Sequence, residues 1–235
     1  MTAADAGRTV LVTGANRGTG RAVAEELHSA GWRVCGLGRT PADLPWMQHV
    51  ACDLSKPRDV GPAVRQAAEA AGGLDAVVAN GVERALGDLA TLPLDHWQEA
   101  VDVNLTSVVA LVQAALPYLR ARGGRIVLMG SHAGTRFFEG GAAYCATKAA
   151  LKAITEVLLL EERRNAVGTT LISPGAIANL PGDTSPLKMA ASSVAQAVRW
   201  VLEAPGDTVV GEVELRPARL PDDVPVTGLD RLQAV

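Results

Sequence analysis

Short apolar runs alternate along the chain with longer stretches in which apolar residues recur every third or fourth position. The first run, Thr-Val-Leu-Val-Thr at 9–13, is β-branched and predicts a strand. Residues 17–30 follow with Ala22, Val23, Leu27 and Ala30 on one helical face and Gly31 as a stop. Strand patterns recur at 33–37, 48–52, 74–79, 125–129, 169–172 and 209–215. Helical patterns lie between them: one opens near Pro57 with Ser55 placed to cap it, and others cover 95–119, 141–165 and 193–203. Strands that alternate with helices imply a parallel sheet covered on both faces. The expected fold class is therefore α/β, one doubly wound parallel sheet of about seven strands. No linker or internal repeat breaks the pattern, so 1–235 reads as one domain, with its core at about 8–215. The tail, 217–235, carries Pro217, Pro221 and Pro225, has no periodicity, and is expected to be irregular.

Composition narrows the function. The chain has a formal charge of −3 and no long basic run, which argues against nucleic acid or an anionic membrane surface as partner. Its apolar stretches read as shorter than the roughly 20 residues that span a bilayer. Residues 1–9 lack the apolar core of a secretory leader. The three cysteines form no CxxC pair. Cys35 and Cys52 fall in strand patterns and are expected as buried thiols of a reducing, cytoplasmic setting, with Cys145 as packing. His28, His49 and His96 are isolated, so no metal site is expected.

Between the first strand and the first helix stands Thr13-Gly14-Ala15-Asn16-Arg17-Gly18-Thr19-Gly20. Glycines there let the backbone approach a pyrophosphate, and the helix N-terminus offers free N–H groups to it. Further along, Tyr144 and Lys148 sit four residues apart on one helical face, in a chain with only two tyrosines. A lysine ammonium there stabilises a phenolate, and the pair can move a proton. Ser131 ends the strand at 125–129, on the edge of the sheet where ligands bind. Its hydroxyl can hold a substrate oxygen while Tyr144 passes the proton.

The Gly-x-x-x-Gly-x-Gly spacing, the Tyr-x-x-x-Lys pair and Ser131 thirteen positions before Tyr144 resemble the short-chain dehydrogenase/reductase family, over roughly residues 8–215. The resemblance implies a Rossmann-type sheet and a catalytic tetrad of Asn104, Ser131, Tyr144 and Lys148. In it Asn104 acts through its main chain to hold a water beside the lysine. It also implies that Gly14, Gly18 and Gly20, with Asn16, Arg17 and Thr19, bind the cofactor diphosphate. Asp53 and Leu54 would lie by the adenine, although Asp53 reads equally as the cap of its own turn. Pro174, Gly175 and Ile177 would lie along the nicotinamide, with the Ile177 backbone on its carboxamide. At the end of the second strand the family's ribose-binding acid is replaced by Gly38. Arg39 follows, and with Arg17 it favours the 2′-phosphate of NADP(H).

Three segments depart from the family. Its NNAG after the fourth strand reads Ala79-Asn80-Gly81-Val82, the first Asn lost, in a segment that supports the adenine pocket. A threonine on the carboxamide becomes Asn179. The substrate lid between Asn179 and Ser193 is short, implying an open or modest pocket. Phe137 and Phe138 read equally as pocket walls or as packing. The expected function is an NADP(H)-dependent oxidoreductase acting on a small carbonyl or alcohol substrate, in a homotetramer or dimer. The alternative is a non-catalytic NADP(H)-binding regulator of the same fold.

Overall fold

The computed structural model describes residues 7–179 and 182–219. Seven parallel strands form one sheet: β1 Thr9–Thr13, β2 Arg33–Gly38, β3 Gln48–Ala51, β4 Ala76–Ala79, β5 Arg125–Met129, β6 Gly168–Pro174 and, after two short strands considered below, β9 Glu212–Leu215. Their order is β3-β2-β1-β4-β5-β6-β9. The chain winds outward one way from β1 and then returns to wind the other way, so the crevice opens beyond the C-terminal ends of β1 and β4.

β1 shows why both faces are apolar. Val10 and Val12 join a core with Val23 and Leu27 of helix α1 (Gly18–Ser29) and Val194 and Val198 of helix α6 (Ala191–Leu202). Leu11 points the other way, into a core with Val60 and Val64 of α2 (Pro57–Ala71), Leu111 and Val112 of α4 (Ser107–Arg120) and Leu151 of α5 (Ala142–Glu162). Successive strand residues face opposite sides, so a strand covered on both sides must be apolar throughout. β9, at the sheet edge, instead alternates, with charged Glu212 and Glu214.

The expected elements are present with shifted ends. The fourth strand begins at Ala76, the last at Glu212 and the final helix at Ala191. Ser55 does not cap α2. The N-cap is Lys56, with no side-chain bond, and the Ser55 hydroxyl donates to Asp53 Oδ1 at 2.9 Å. The pattern at 95–119 is α3 (Leu94–Val101) continuing through a π-helical turn, Asp102–Thr106, into α4.

That continuous run, Leu94–Arg120, is 27 residues long and apolar enough by length and composition to cross a membrane, which corrects the expectation that every apolar stretch is too short. It behaves as a core helix: Val108, Leu111, Val112, Ala115 and Leu119 lie in the core beneath the sheet. Cys35, Cys52 and Cys145 are buried and unpaired, as expected, and burial pushes the Cys35 and Cys52 thiols up to about 11. Beyond Arg219 the irregular-tail expectation lies outside the described residues.

Candidate active site

The glycine turn joins β1 to α1. Gly14 and Gly18 have φ values of 66° and 52°, a region that disfavours any side chain. Gly20 is needed for space: a Cβ there would overlap the Gly14 carbonyl oxygen and come within 2.5 Å of Asn80 Nδ2. Arg17 is the exposed N-cap of α1 and supplies no side-chain cap bond, so the first-turn N–H groups have no cap partner among the described residues. The Thr19 hydroxyl is buried without a partner among the described residues. A cradle that only glycine fits, free amide donors and an orphan hydroxyl suit a diphosphate. Asn16 is half-buried beside them.

The altered NNAG segment still braces this turn. The main-chain N–H groups of Asn80 and Gly81 both donate to Thr13 Oγ1 at 2.9 Å, and Asn80 Nδ2 donates to the Thr13 carbonyl at 3.1 Å. Thr13 was not singled out among the expected site residues, although it opens the glycine motif. Gly81 leaves the room that the Leu54 side chain occupies.

Asp53 accepts from the Ser55 N–H and hydroxyl, at 3.1 and 2.9 Å, which realises the turn-capping reading. Burial raises its carboxyl, but those bonds and the charges of Arg39 and Lys56 outweigh that and hold it below the usual range. Arg39 is exposed at the end of β2, and nothing lies within 4 Å of where a Gly38 Cβ would be.

Lys148 is buried in α5, and its Nζ donates to the Met129 carbonyl at the end of β5 at 2.6 Å. The ammonium lies 5.9 Å from the centre of the Tyr144 ring. Burial, helped by the nearby charge of Arg84, pushes the lysine down to about 8. Met129 leads through Gly130 to Ser131, whose Oγ accepts from the Ala133 N–H at 3.1 Å. Asn104, 1% exposed, sits within the π-helical turn. Its Oδ1 accepts from the Glu83 N–H at 2.7 Å, and its Nδ2 donates to the Glu83 carbonyl at 2.8 Å and to Thr147 Oγ1 at 3.2 Å. Thr147 donates in turn to the Tyr144 carbonyl at 2.9 Å.

Asn104, Ser131, Tyr144 and Lys148 therefore share one connected neighbourhood. The Asn104 side chain works as a clamp on the loop after β4 and on α5. Thr147 and Glu83 are the partners that sequence reasoning missed; Thr147 stands inside the Tyr-x-x-x-Lys motif.

Pro174 ends β6 and Gly175 follows it, the Gly175 N–H donating to the Leu215 carbonyl at 2.9 Å. Ile177 begins β7 (Ile177–Ala178), which pairs with β8 (Met189–Ala190). This two-stranded clip ties off the short segment at both ends, and the Lys188–Asp183 ion pair at 2.8 Å braces it within. The Asn179 carbonyl oxygen comes within 3.3 Å of where a Gly18 Cβ would stand, so this segment crosses the glycine turn.

His132 lies against Gly175, its Nε2 3.2 Å from Glu214 Oε1 without a well-directed hydrogen bond. Burial holds it below the ordinary histidine value against the pull of Glu214. Phe138 packs on Gly141, whereas Phe137 is 71% exposed. No cluster of metal-ligating side chains occurs among the described residues.

A doubly wound sheet with a glycine cradle at its crevice and a buried lysine beside a tyrosine defines a dinucleotide-dependent oxidoreductase architecture. Residues 8–182 match the short chain dehydrogenase family, and the chain belongs to that family of oxidoreductases, which use nicotinamide cofactors and act on small molecules. An uncharacterized oxidoreductase of Staphylococcus aureus strain MRSA252 is 30% identical over 224 residues, covering 89% of this chain and 97% of that protein. The alcohol dehydrogenase of the archaeon Thermococcus sibiricus, complexed with 5-hydroxy-NADP, superposes with a TM-score of 0.83 at 26% identity, over 92% of this chain and 99% of its own. An NADH-dependent reductase responsible for alginate metabolism shares the fold, with a TM-score of 0.82 at 20% identity over 92% of this chain and 98% of its own.

Proposed function

We propose that the chain is an NADP(H)-dependent reductase of small ketones or aldehydes, or the corresponding secondary alcohol dehydrogenase. The observation that carries this reading is Lys148, wholly buried and hydrogen-bonded to the end of β5 beside Tyr144. A solitary cation is costly to bury and is kept where chemistry needs it. Gly14, Gly18, Gly20 and the free amides of α1 would hold the cofactor diphosphate, and Arg17 and Arg39 its 2′-phosphate in the open space beside Gly38. When bound, the dihydronicotinamide would supply the hydride for the carbonyl carbon. Ser131 orients the carbonyl oxygen, Tyr144 gives it the proton, and Lys148 keeps the phenol charged with protons for the next turnover. The Thermococcus sibiricus relative, complexed with an NADP derivative, supports the phosphate preference.

A panel of ketones and aldehydes, followed by NADPH absorbance, tests the reading. Tyr144→Phe should lower turnover by about 10²- to 10⁴-fold, with NADPH still bound. Near-normal turnover in that variant, or tight NADPH binding with no carbonyl reduced, overturns it; the second result favours a regulator. Arg39→Ala should raise the KM for NADPH and leave that for NADH unchanged, and equal effects on both would remove the NADP preference. We further propose a homo-oligomer formed through α4 and α5, which expose Val109, Val157 and Leu160. A monomer in light scattering refutes it.

A further inference from the structure

After β4 the chain runs without regular secondary structure through 82–86, and its residues alternate between exposed and more buried positions. The inward residues are anchored. Asn104 clamps both main-chain groups of Glu83, and Ala85 is buried in a small cluster with Ala100 and Ala143. The next contact also ties this loop to the approach to Tyr144, because the Gly87 N–H donates to the Gly140 carbonyl at 2.8 Å. Outward stand Val82 and Leu86, 46% and 55% exposed, with Arg84 between them. Arg84 is thus an exposed guanidinium on a backbone braced, through Asn104 and Thr147, to the helix that bears Tyr144 and Lys148.

Arg84 forms no ion pair among the described residues. Glu83 Oε1 is turned instead to the Arg84 main-chain N–H, at 3.0 Å. Arg136, from the loop on the other side of Ser131, is already engaged by Glu214 at 3.6 Å. A cation on a loop braced against the helix of the proton-transfer pair, without an ion pair among the described residues and flanked by two exposed aliphatic side chains, is a recognition element for an anion carried on an apolar body. One guanidinium matches a monoanion, and its planar fork matches a carboxylate.

We propose that Arg84 determines specificity by binding the carboxylate of an oxo-acid or hydroxy-acid substrate, with Val82 and Leu86 beside its aliphatic part. The inference rests on the oxidoreductase reading above and names the substrate class for it.

The test compares benzoylformate, acetoacetate and levulinate, which carry the carboxylate progressively farther from the carbonyl, with their methyl esters. At least one acid should exceed its ester in kcat/KM by about tenfold, the factor of one charge-assisted bond at an exposed site. Arg84→Gln should bring that ratio to about one, and Arg84→Lys should restore part of it. A merely structural role would change acid and ester together. Esters preferred throughout, or a ratio untouched in Arg84→Gln, overturns the proposal.

Calorimetry separates this from a failure of the reductase reading. Mandelate and β-hydroxybutyrate are titrated against their amides, with and without NADPH. A preference for either carboxylate that vanishes in Arg84→Gln supports the anion site even where no carbonyl consumes NADPH. Equal affinity for acid and amide removes it even where reduction is fast.

Discussion

Lys148→Met should stabilise the cofactor-free protein at neutral pH while abolishing its chemistry. Folding takes the lysine from its ordinary value of 10.5 to about 8, chiefly by burial. The folded state therefore holds the ammonium less well than the unfolded chain does. The penalty is fully present below pH 8 and is relieved as pH rises from 8 to 10.5. The shift corresponds to about 3 kcal/mol at pH 7 and about 1.4 kcal/mol at pH 9.5. Methionine is close in length and removes the charge. It also removes the bond to the Met129 carbonyl, a loss of about 1–2 kcal/mol. The net gain is about 1–2 kcal/mol at pH 7, or roughly 4 °C in Tm for a chain of this size, and about zero at pH 9.5. Parallel thermal and urea unfolding of both proteins at the two pH values measures it. A variant less stable than the parent at pH 7, or a difference that does not shrink with rising pH, would refute the account of Lys148 as a buried, uncompensated cation.

Gly20→Ala should abolish cofactor binding, measured by NADPH fluorescence, because the new methyl collides with the Gly14 carbonyl inside the diphosphate cradle. Asn104→Ala should cost about 2–4 kcal/mol in urea unfolding, since the Glu83 N–H and C=O lose their buried partner. Asn104→Asp should recover only the bond from the Glu83 N–H. Glu162, buried and bound by Arg120 and Asn165, has its carboxyl held below the usual range, first by the bond from Arg120. Its contribution is present above the ordinary glutamate value and lost as pH falls through the lower folded value. Glu162→Gln should therefore cost about 1–2 kcal/mol at pH 7 and nothing at strongly acidic pH.

The sheet was legible because its strands are covered on both faces, which forces unbroken apolar runs such as Thr9–Thr13 and Arg125–Met129. Strand and helix ends were less legible: a strand begins where pairing begins, and Leu74 is as apolar as the strand it precedes. The glycine turn and the Tyr144–Lys148 pair show in the sequence because backbone geometry and helical spacing dictate residue identity. The β7–β8 clip carries no such signature. Two residues on each strand give no periodicity, and their pairing depends on how the segment after β6 folds back. The extent of the Leu94–Arg120 helix was legible at 95–119, but its apolar character was not, because Asp95, Glu99 and Asp102 break the apolar run without interrupting the helix.

Asn104 shows what spacing alone cannot reveal. Read singly, an asparagine inside a helix is a kink or a local polar contact. The structure gives it both forms at once, a π-helical turn and three side-chain bonds, and directs them at two elements: the loop bearing Arg84 and the helix bearing Tyr144 and Lys148. Loosening the clamp should therefore let that loop move relative to the tyrosine. For this reason the acid-to-ester ratio, and not only the unfolding free energy, should fall in Asn104→Ala. A variant that loses stability while keeping its full acid preference would show that the clamp holds the fold but not the recognition surface.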